Sequence, residues 1–362
     1  MAEPHVIVDG HEDIAFGSLA EGRDYLLSAR EIRAREAEAA FENPNGTCML
    51  GLADWLEARI AVIFATVLSI PREHANPGEL SYPTLDGAHV QGLAQVDLYR
   101  RWSESCPQLE LVTDSRELDE VLASWSADAP EAARKVGFVL LMESAEAIRE
   151  PAEVADWAER GIRMIGPAWQ SNRYTGDTHD GGPLTPLGRD LLKAMGTLGL
   201  TLDLTHMSDR ASLEALESYE GPIVATHANS RRTVDTPRLL SDRVIEGIVA
   251  REGVIGMLPV NWALVPGWTA DDGKEAVTLE AVVDAIDAVC QIAGGARCVG
   301  IGTDFDGGLG SETAPAELDT IADLPKLALA LAARGFDEAD VDGIMGGNWL
   351  AFLKRSIDPR PA

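Results

Sequence analysis

Cysteine is scarce in this 362-residue chain. The four present, Cys48, Cys106, Cys290 and Cys298, lie far apart, and none belongs to a CxxC pair. That excludes a disulfide scaffold and predicts reduced, mostly buried thiols. Basic residues are also few: 30 Lys and Arg stand against 59 Asp and Glu, for a net charge of −29. A field of that sign repels nucleic acid and anionic membrane, so neither is expected as a partner. It tolerates bound metal cations. No apolar run reaches the ~18 residues that a membrane-spanning helix needs. Neither GxGxxG nor a Walker pattern occurs, so the glycines carry no phosphate-binding motif. The opening stretch, Met1-Ala-Glu-Pro-His-Val-Ile-Val-Asp9, lacks a basic region followed by an apolar one, and the tail from Ser356 is polar without a lipid-anchor signal. The expected compartment is the cytoplasm.

What the chain has is ordinary for a soluble enzyme with a large core: 46% hydrophobic and 25% charged residues. Eight short apolar, β-branched runs recur along it, at 6–10, within 59–70, and at 137–142, 161–167, 200–204, 222–225, 253–259 and 299–302. Stretches of helical periodicity separate them, at 89–101, 151–160, 187–198 and 279–293, with closing helices at 324–334 and 341–355. Strand and helix in that alternation predict an α/β fold, a (β/α)₈ TIM barrel, as one domain over 1–362 with an insertion around 17–54. An exposed helix is expected near 28–40, a turn at Asn43-Pro-Asn-Gly46 and a loop at Pro77-Gly78.

Several of the runs share one feature: they end near a His, Asp or Glu. In such barrels the chemistry sits at the C-terminal ends of the strands. His11 and Asp13 follow the first run two residues apart, so in an extended strand they point to one side. Glu143 follows six largely apolar residues; a carboxylate there is either exposed or bound to cations, and its two oxygens can bridge two metals. Glu146, farther into the loop, competes with it. His206 and His227 repeat one pattern, apolar strand, Thr, His, on consecutive strands. Asp304 ends the last strand, beside His11 across the barrel closure, as a ligand or as general base and acid. Asp306 competes with it. Three His and three carboxylates at one rim suit zinc-type divalent ions without cysteine. Two such ions would make a hydroxide from water near neutral pH, so the residues alone support metal-assisted hydrolysis of an unspecified bond.

With these residues in view, the chain resembles the membrane (renal) dipeptidase family, the M19 peptidases of the amidohydrolase superfamily. The resemblance rests on Asp9-Gly-His11-Glu-Asp13, Leu202-Asp-Leu-Thr-His206, Ala225-Thr-His227 with Arg238-Leu-Leu-Ser-Asp242, and Gly300-Ile-Gly-Thr-Asp304-Phe-Asp-Gly307, and runs on to Gly347-Asn348-Trp-Leu350. It implies a binuclear zinc dipeptidase acting through a metal-bridging hydroxide. His11 and Asp13 would bind one ion, His206 and His227 the other, and Glu143 both. Asp304 would handle the proton, and Arg238 would hold the substrate carboxylate, a bidentate pairing suited to guanidinium. The implied partner is a small molecule, a dipeptide or similar, with a homodimer left open. One departure stands out. Family members commonly carry a substrate-contacting His after the fourth strand, and here that position falls on Trp169. His179, ten residues on, is expected to be a solvated loop residue. The alternatives are a related amidohydrolase cutting an N-acyl amino acid, a cyclic amide or a lactone, and a barrel decayed to a binding role, against which the complete ligand set argues.

Overall fold

The structure, a computed structural model, describes residues 6–39, 43, 46–75 and 80–358. The expected loop at Pro77-Gly78 and the middle of the turn at 43–46 lie outside the described residues. Nine parallel strands form one sheet: β1 (Ile7–Glu12), β2 (Ile60–Leu68), β3 (Leu109–Leu111), β4 (Val136–Glu143), β5 (Ile162–Gly166), β6 (Thr201–Asp203), β7 (Ile223–Val224), β8 (Ile255–Met257) and β9 (Val299–Ile301). Their order is β7-β6-β5-β4-β2-β1-β9-β8, with β3 added at the side of β4. The ring closes between β7 and β8 through the parallel bridge Ala225–Ile255. There the Gly256 N–H donates to the Ala225 carbonyl at 2.8 Å. This is a (β/α)₈ barrel, and each of the eight expected runs supplies one barrel strand. The sequence reading missed β3, whose three residues alternate too briefly to register as a strand.

The strands are apolar on both faces because helices cover the outside and side chains fill the inside. Phe138, Leu140 and Met142 on β4 belong to one buried cluster, and Val139 and Leu141 to another. The helices obey the expected grammar. Ser28 caps Ala29–Glu38 in a capping box with Glu31, and Thr185 caps Pro186–Leu198, which Gly199 ends in the left-handed region. The closing helix differs from expectation. It begins as Glu338–Asp342, widens to a π turn over Gly343–Gly347 and continues as Asn348–Ser356. The widening delivers Trp349 into the barrel, where its Nε1–H donates to the Ile301 carbonyl at 2.9 Å and its ring meets Phe64 edge-on. Glycines make the room: a Cβ on Gly300 or Gly10 would lie 2.2 or 2.9 Å from the indole.

A second set of glycines lets the chain after β7 cross the barrel interior. A Cβ on Gly256, Gly302 or Gly10 would lie 1.8, 1.9 or 2.9 Å from the Thr226 carbonyl oxygen. These positions come from three different strands or their ends, so Thr226 sits where they converge. Among the described residues no helix is long and apolar enough to cross a membrane. Gly302→Ala should destabilise the fold at the upper end of the ~1–3 kcal/mol typical of overpacking, because the obstacle is backbone. Chemical denaturation would register this as a lower midpoint at unchanged slope; an unchanged midpoint would refute the close approach.

Candidate active site

The six polar residues expected at the rim meet in one place. Glu143, the last residue of β4, is buried and has one carboxylate oxygen on each side of the cluster. Its Oε2 lies 3.5 Å from His11 Nε2, and its Oε1 lies 3.1 and 3.6 Å from the Nε2 atoms of His206 and His227. Asp13 Oδ2 and Asp304 Oδ1 each lie 3.9 Å from His11 Nε2. Two triads capable of holding a cation result, His11–Asp13–Asp304 and Glu143–His206–His227. A third grouping, His11–Asp203–His227, is geometrically close. Asp203, however, already accepts four hydrogen bonds from Thr205 and Thr226, which fills a carboxylate.

Neighbouring strands aim these groups. Thr66 on β2 donates to Asp13 Oδ1, leaving Oδ2 toward the cavity. The Asp304 N–H donates to the His11 carbonyl at 3.0 Å, tying the end of β9 to β1. Gly307 closes against both acids: a Cβ there would lie 2.3 Å from Asp304 Oδ1 and 2.5 Å from Asp13 Oδ2. Asp306 turns the other way. It accepts from the Met49 N–H at 2.8 Å and the Cys48 thiol at 3.1 Å, and faces the buried Arg23 guanidinium at 3.4 Å. Glu146 likewise stands apart, accepting from the Tyr82 hydroxyl at 2.7 Å. Both competitors named from sequence are thus outside the cluster.

Electrostatics follow from burial and crowding. Burial alone would lower His11, but Glu143, then Asp13 and Asp304, hold its pKa up at about 10. Glu143 is driven well below the carboxylate range despite its burial, chiefly by His11 and His206. Burial, with Glu143 beside it, pushes Asp13 up to about 6. Asp304 rises well above its ordinary value through burial and the neighbouring Asp13 and Glu143. Burial and Arg238 lower His206 to about 4, and burial with His11 and Arg238 lowers His227 far below its usual value.

The donor set fits divalent cations. Three imidazole Nε2 atoms and three carboxylates face one volume, His11 Nε2 is buried without a hydrogen bond, and His206 and His227 present Nε2 to Nε2 at 3.1 Å. Nitrogen and oxygen donors so disposed suit zinc-type ions.

A cavity of about 300 Å³ opens onto the cluster. Arg238 reaches it, with its guanidinium donating to the His227 carbonyl at 3.3 Å and lying 3.3 Å from His206 Nε2. Trp169 stands in the wall and packs against Phe16, Leu68 and Ile70, while Trp262 and Leu309 line another part. His179 does not line it; its side chain is 70% exposed and pairs with Asp177. The sequence reading missed Phe16, Leu68, Ile70, Trp262, Leu309 and the cavity-lining His74, since apolar residues and a lone loop histidine carry no motif. Raised His11 has a consequence for stability. A group whose folded pKa of about 10 exceeds its ordinary 6.5 stabilises below the lower value and loses that effect as pH rises through the upper. Chelator-treated protein should therefore melt at falling temperature from about pH 7 to 10, and His11→Gln should flatten the trend. A melting temperature that climbed over that interval would contradict the pairing.

The profile of the membrane dipeptidases, peptidase family M19, matches residues 1–357. An uncharacterised Klebsiella pneumoniae protein from the pqqA 5′ region is 35% identical over 204 residues, 54% of this chain and 72% of that one. Dipeptidase 3 of Mus musculus is 25% identical over 274 residues, 73% of this chain and 51% of that protein, so the match spans about half the relative's length. Among solved structures, dipeptidase AC, a metallopeptidase of family M19, is 25% identical with a TM-score of 0.75, covering 98% of this chain and 99% of that one. The chain therefore belongs to the membrane dipeptidase family, peptidase family M19, and is a metal-dependent hydrolase of that family.

Proposed function

We propose that the chain is a dipeptidase that works with two divalent ions, zinc by the nature of the donors. The observation that carries this reading is Glu143, which turns one oxygen toward His11 and the other toward His206 and His227. His11 and Asp13 would hold one ion, His206 and His227 the other, with Glu143 serving both. Ions bound there would supply Lewis acidity, to activate water and polarise the scissile carbonyl.

The chain's own residues do the rest. Asp304, held beside His11 with a raised pKa, takes a proton from the attacking water and returns it to the departing amine nitrogen. Arg238 receives the free carboxylate of the substrate as a charge-assisted pair. Trp169, Phe16, Leu68 and Ile70 form an apolar wall that excludes water and takes a side chain. A cavity of about 300 Å³ is at the small end for ligand sites and suits two residues rather than a long peptide. The indole of Trp169 offers one donor and no charge, so it shapes the pocket without entering the proton chemistry. All four cysteines are free, which supports a reducing compartment, the cytoplasm.

Elemental analysis of zinc-purified protein should find two ions per chain; one or none at saturation would overturn the binuclear reading. Asp304→Asn should retain them while losing roughly 10²–10⁴ in kcat, the range for general acid–base catalysis. Loss of an ion in that variant would make Asp304 a ligand instead.

Substrate orientation is tested separately. C-terminally amidated dipeptides lack the group that Arg238 holds, so their kcat/KM should fall by one to two orders of magnitude, matching ~1.5–3 kcal/mol for hydrogen bonds to a charged group. In Arg238→Met, free and amidated dipeptides should be cleaved alike. Equal rates in the wild-type enzyme would remove Arg238 from the substrate site.

A further inference from the structure

The site leaves open how the imidazoles keep their ligating nitrogens free of protons. A neutral imidazole carries its hydrogen on Nδ1 or Nε2, and only the bare nitrogen binds a cation. The Thr226 hydroxyl stands behind two of the three rings. Its Oγ1 lies 3.1 Å from His227 Nδ1 and 3.3 Å from His11 Nδ1. It also lies 2.6 Å from Asp203 Oδ2.

We propose that Thr226 fixes the ring tautomer of His11 and His227 together, and that Asp203 in turn orients Thr226. The proposal rests on the reading that the cluster binds divalent ions. A threonine hydroxyl has one hydrogen and two lone pairs. Asp203 decides where the hydrogen goes. Its Oδ1 accepts from the Thr205 N–H at 3.0 Å, the Thr205 hydroxyl at 2.7 Å and the Thr226 N–H at 2.9 Å. A carboxylate saturated with donors acts only as acceptor, so the Thr226 hydroxyl donates to its Oδ2. Two lone pairs remain for two imidazoles. Both rings must then present Nδ1–H, which leaves Nε2 as the ligating position of each, facing Glu143 from either side at 3.5 and 3.6 Å, once His11 has given up its second proton.

The placement takes a particular backbone. β1 and β7 are not neighbours in the barrel, yet the rings they supply are 3.7 Å apart between centroids. Thr226 spans them because Gly10, Gly256 and Gly302 leave its carbonyl room in the interior. A comparison within the molecule isolates the function. Thr303 clamps Asp9 in the same way, through its N–H at 2.8 Å and its hydroxyl at 2.5 Å. There the hydroxyl accepts from the Phe305 N–H at 3.3 Å, a backbone group. Only the Thr226 clamp turns its lone pairs to imidazoles, one for each proposed ion.

The test compares Thr226→Val, which keeps the shape and loses the acceptor, with Thr226→Ser, which keeps the acceptor. Zinc affinity is read on chelator-stripped protein by competition with a metal-binding dye. Thr226→Val should weaken both ions by about 10–100-fold, as expected for loss of an outer-shell partner, and Thr226→Ser should restore most of it. ¹⁵N-histidine spectra, assigned with His11→Gln and His227→Gln, should show Nδ1–H on His227 in the stripped protein and on both rings after zinc loading. Wild-type affinity in a folded Thr226→Val, or a serine variant as weak as the valine one, would overturn the proposal. If the valine variant does not fold, a hydrogen on Nε2 of His227 in stripped wild-type protein would overturn it. Stripped wild-type protein that took up no zinc would sink the metal reading instead, while the His227 tautomer would still be read.

Discussion

The Glu143 carboxylate is buried among three imidazoles, within a few ångströms of two further acids, and the rest of the rim is arranged to make that tolerable. Isolated buried charge is expensive, and three carboxylates at one point repel one another. Within the chain the compensation is partial: His11 is held protonated and Arg238 stands at the side. Bound divalent cations would complete it, taking the place of the proton that His11 otherwise carries. This coupling makes metal affinity and protonation one equilibrium. The barrel's contribution is to keep the ends of β1, β4, β6, β7 and β9 at one level.

Holding them there strains the backbone. His206, Asp304 and Asp306 all adopt positive φ, between 56° and 67°, a region that costs a residue with a side chain of order 1–3 kcal/mol. Each is anchored where it bends. The His206 carbonyl accepts from the Thr178 N–H, the Asp304 N–H is tied to His11, and Asp306 is gripped by Met49, Cys48 and Arg23 from the segment between β1 and β2. That segment thus holds the Asp304 loop through Asp306. The pair Asp304 and Asp306, which looks redundant in the sequence, is one acid facing the chemistry and one facing the anchor.

The barrel is legible because each strand is a short apolar run, and the ligands are legible because they stand at the ends of such runs. Periodicity carries that information locally. What remained illegible depends on contacts between distant segments. Nothing local separates Arg238 from Arg231 and Arg232; only the family resemblance singled it out. In the fold, Arg231 and Arg232 pair with Asp209 and Asp242, while Arg238 enters the cavity. The Thr before each histidine was visible as a pattern, but its use was not. Thr205 and Thr226 serve Asp203, on a strand whose sequence signals only His206. The apolar wall of Phe16, Leu68, Ile70 and Trp169 assembles from the helix Ile14–Glu21, the end of β2 and the loop after β5, and has no signature at all.

Charge at long range also bears on which substrate fits. With a net charge of −29, the molecule's field concentrates cations and disfavours anions approaching from solution. On the proposed reading, a substrate that Arg238 holds must carry a carboxylate. An N-acyl amino acid carries that carboxylate uncompensated and meets the full repulsion. A dipeptide carries it with an ammonium group and is neutral as a whole, so it reaches the rim without that penalty. Once inside, the small cavity and low local dielectric would let Arg238 act on the carboxylate alone, where pairing is strongest. The acidic surface and Arg238 in the cavity would together select a zwitterion, which favours a dipeptide over the other small amides that the same metal chemistry would cleave.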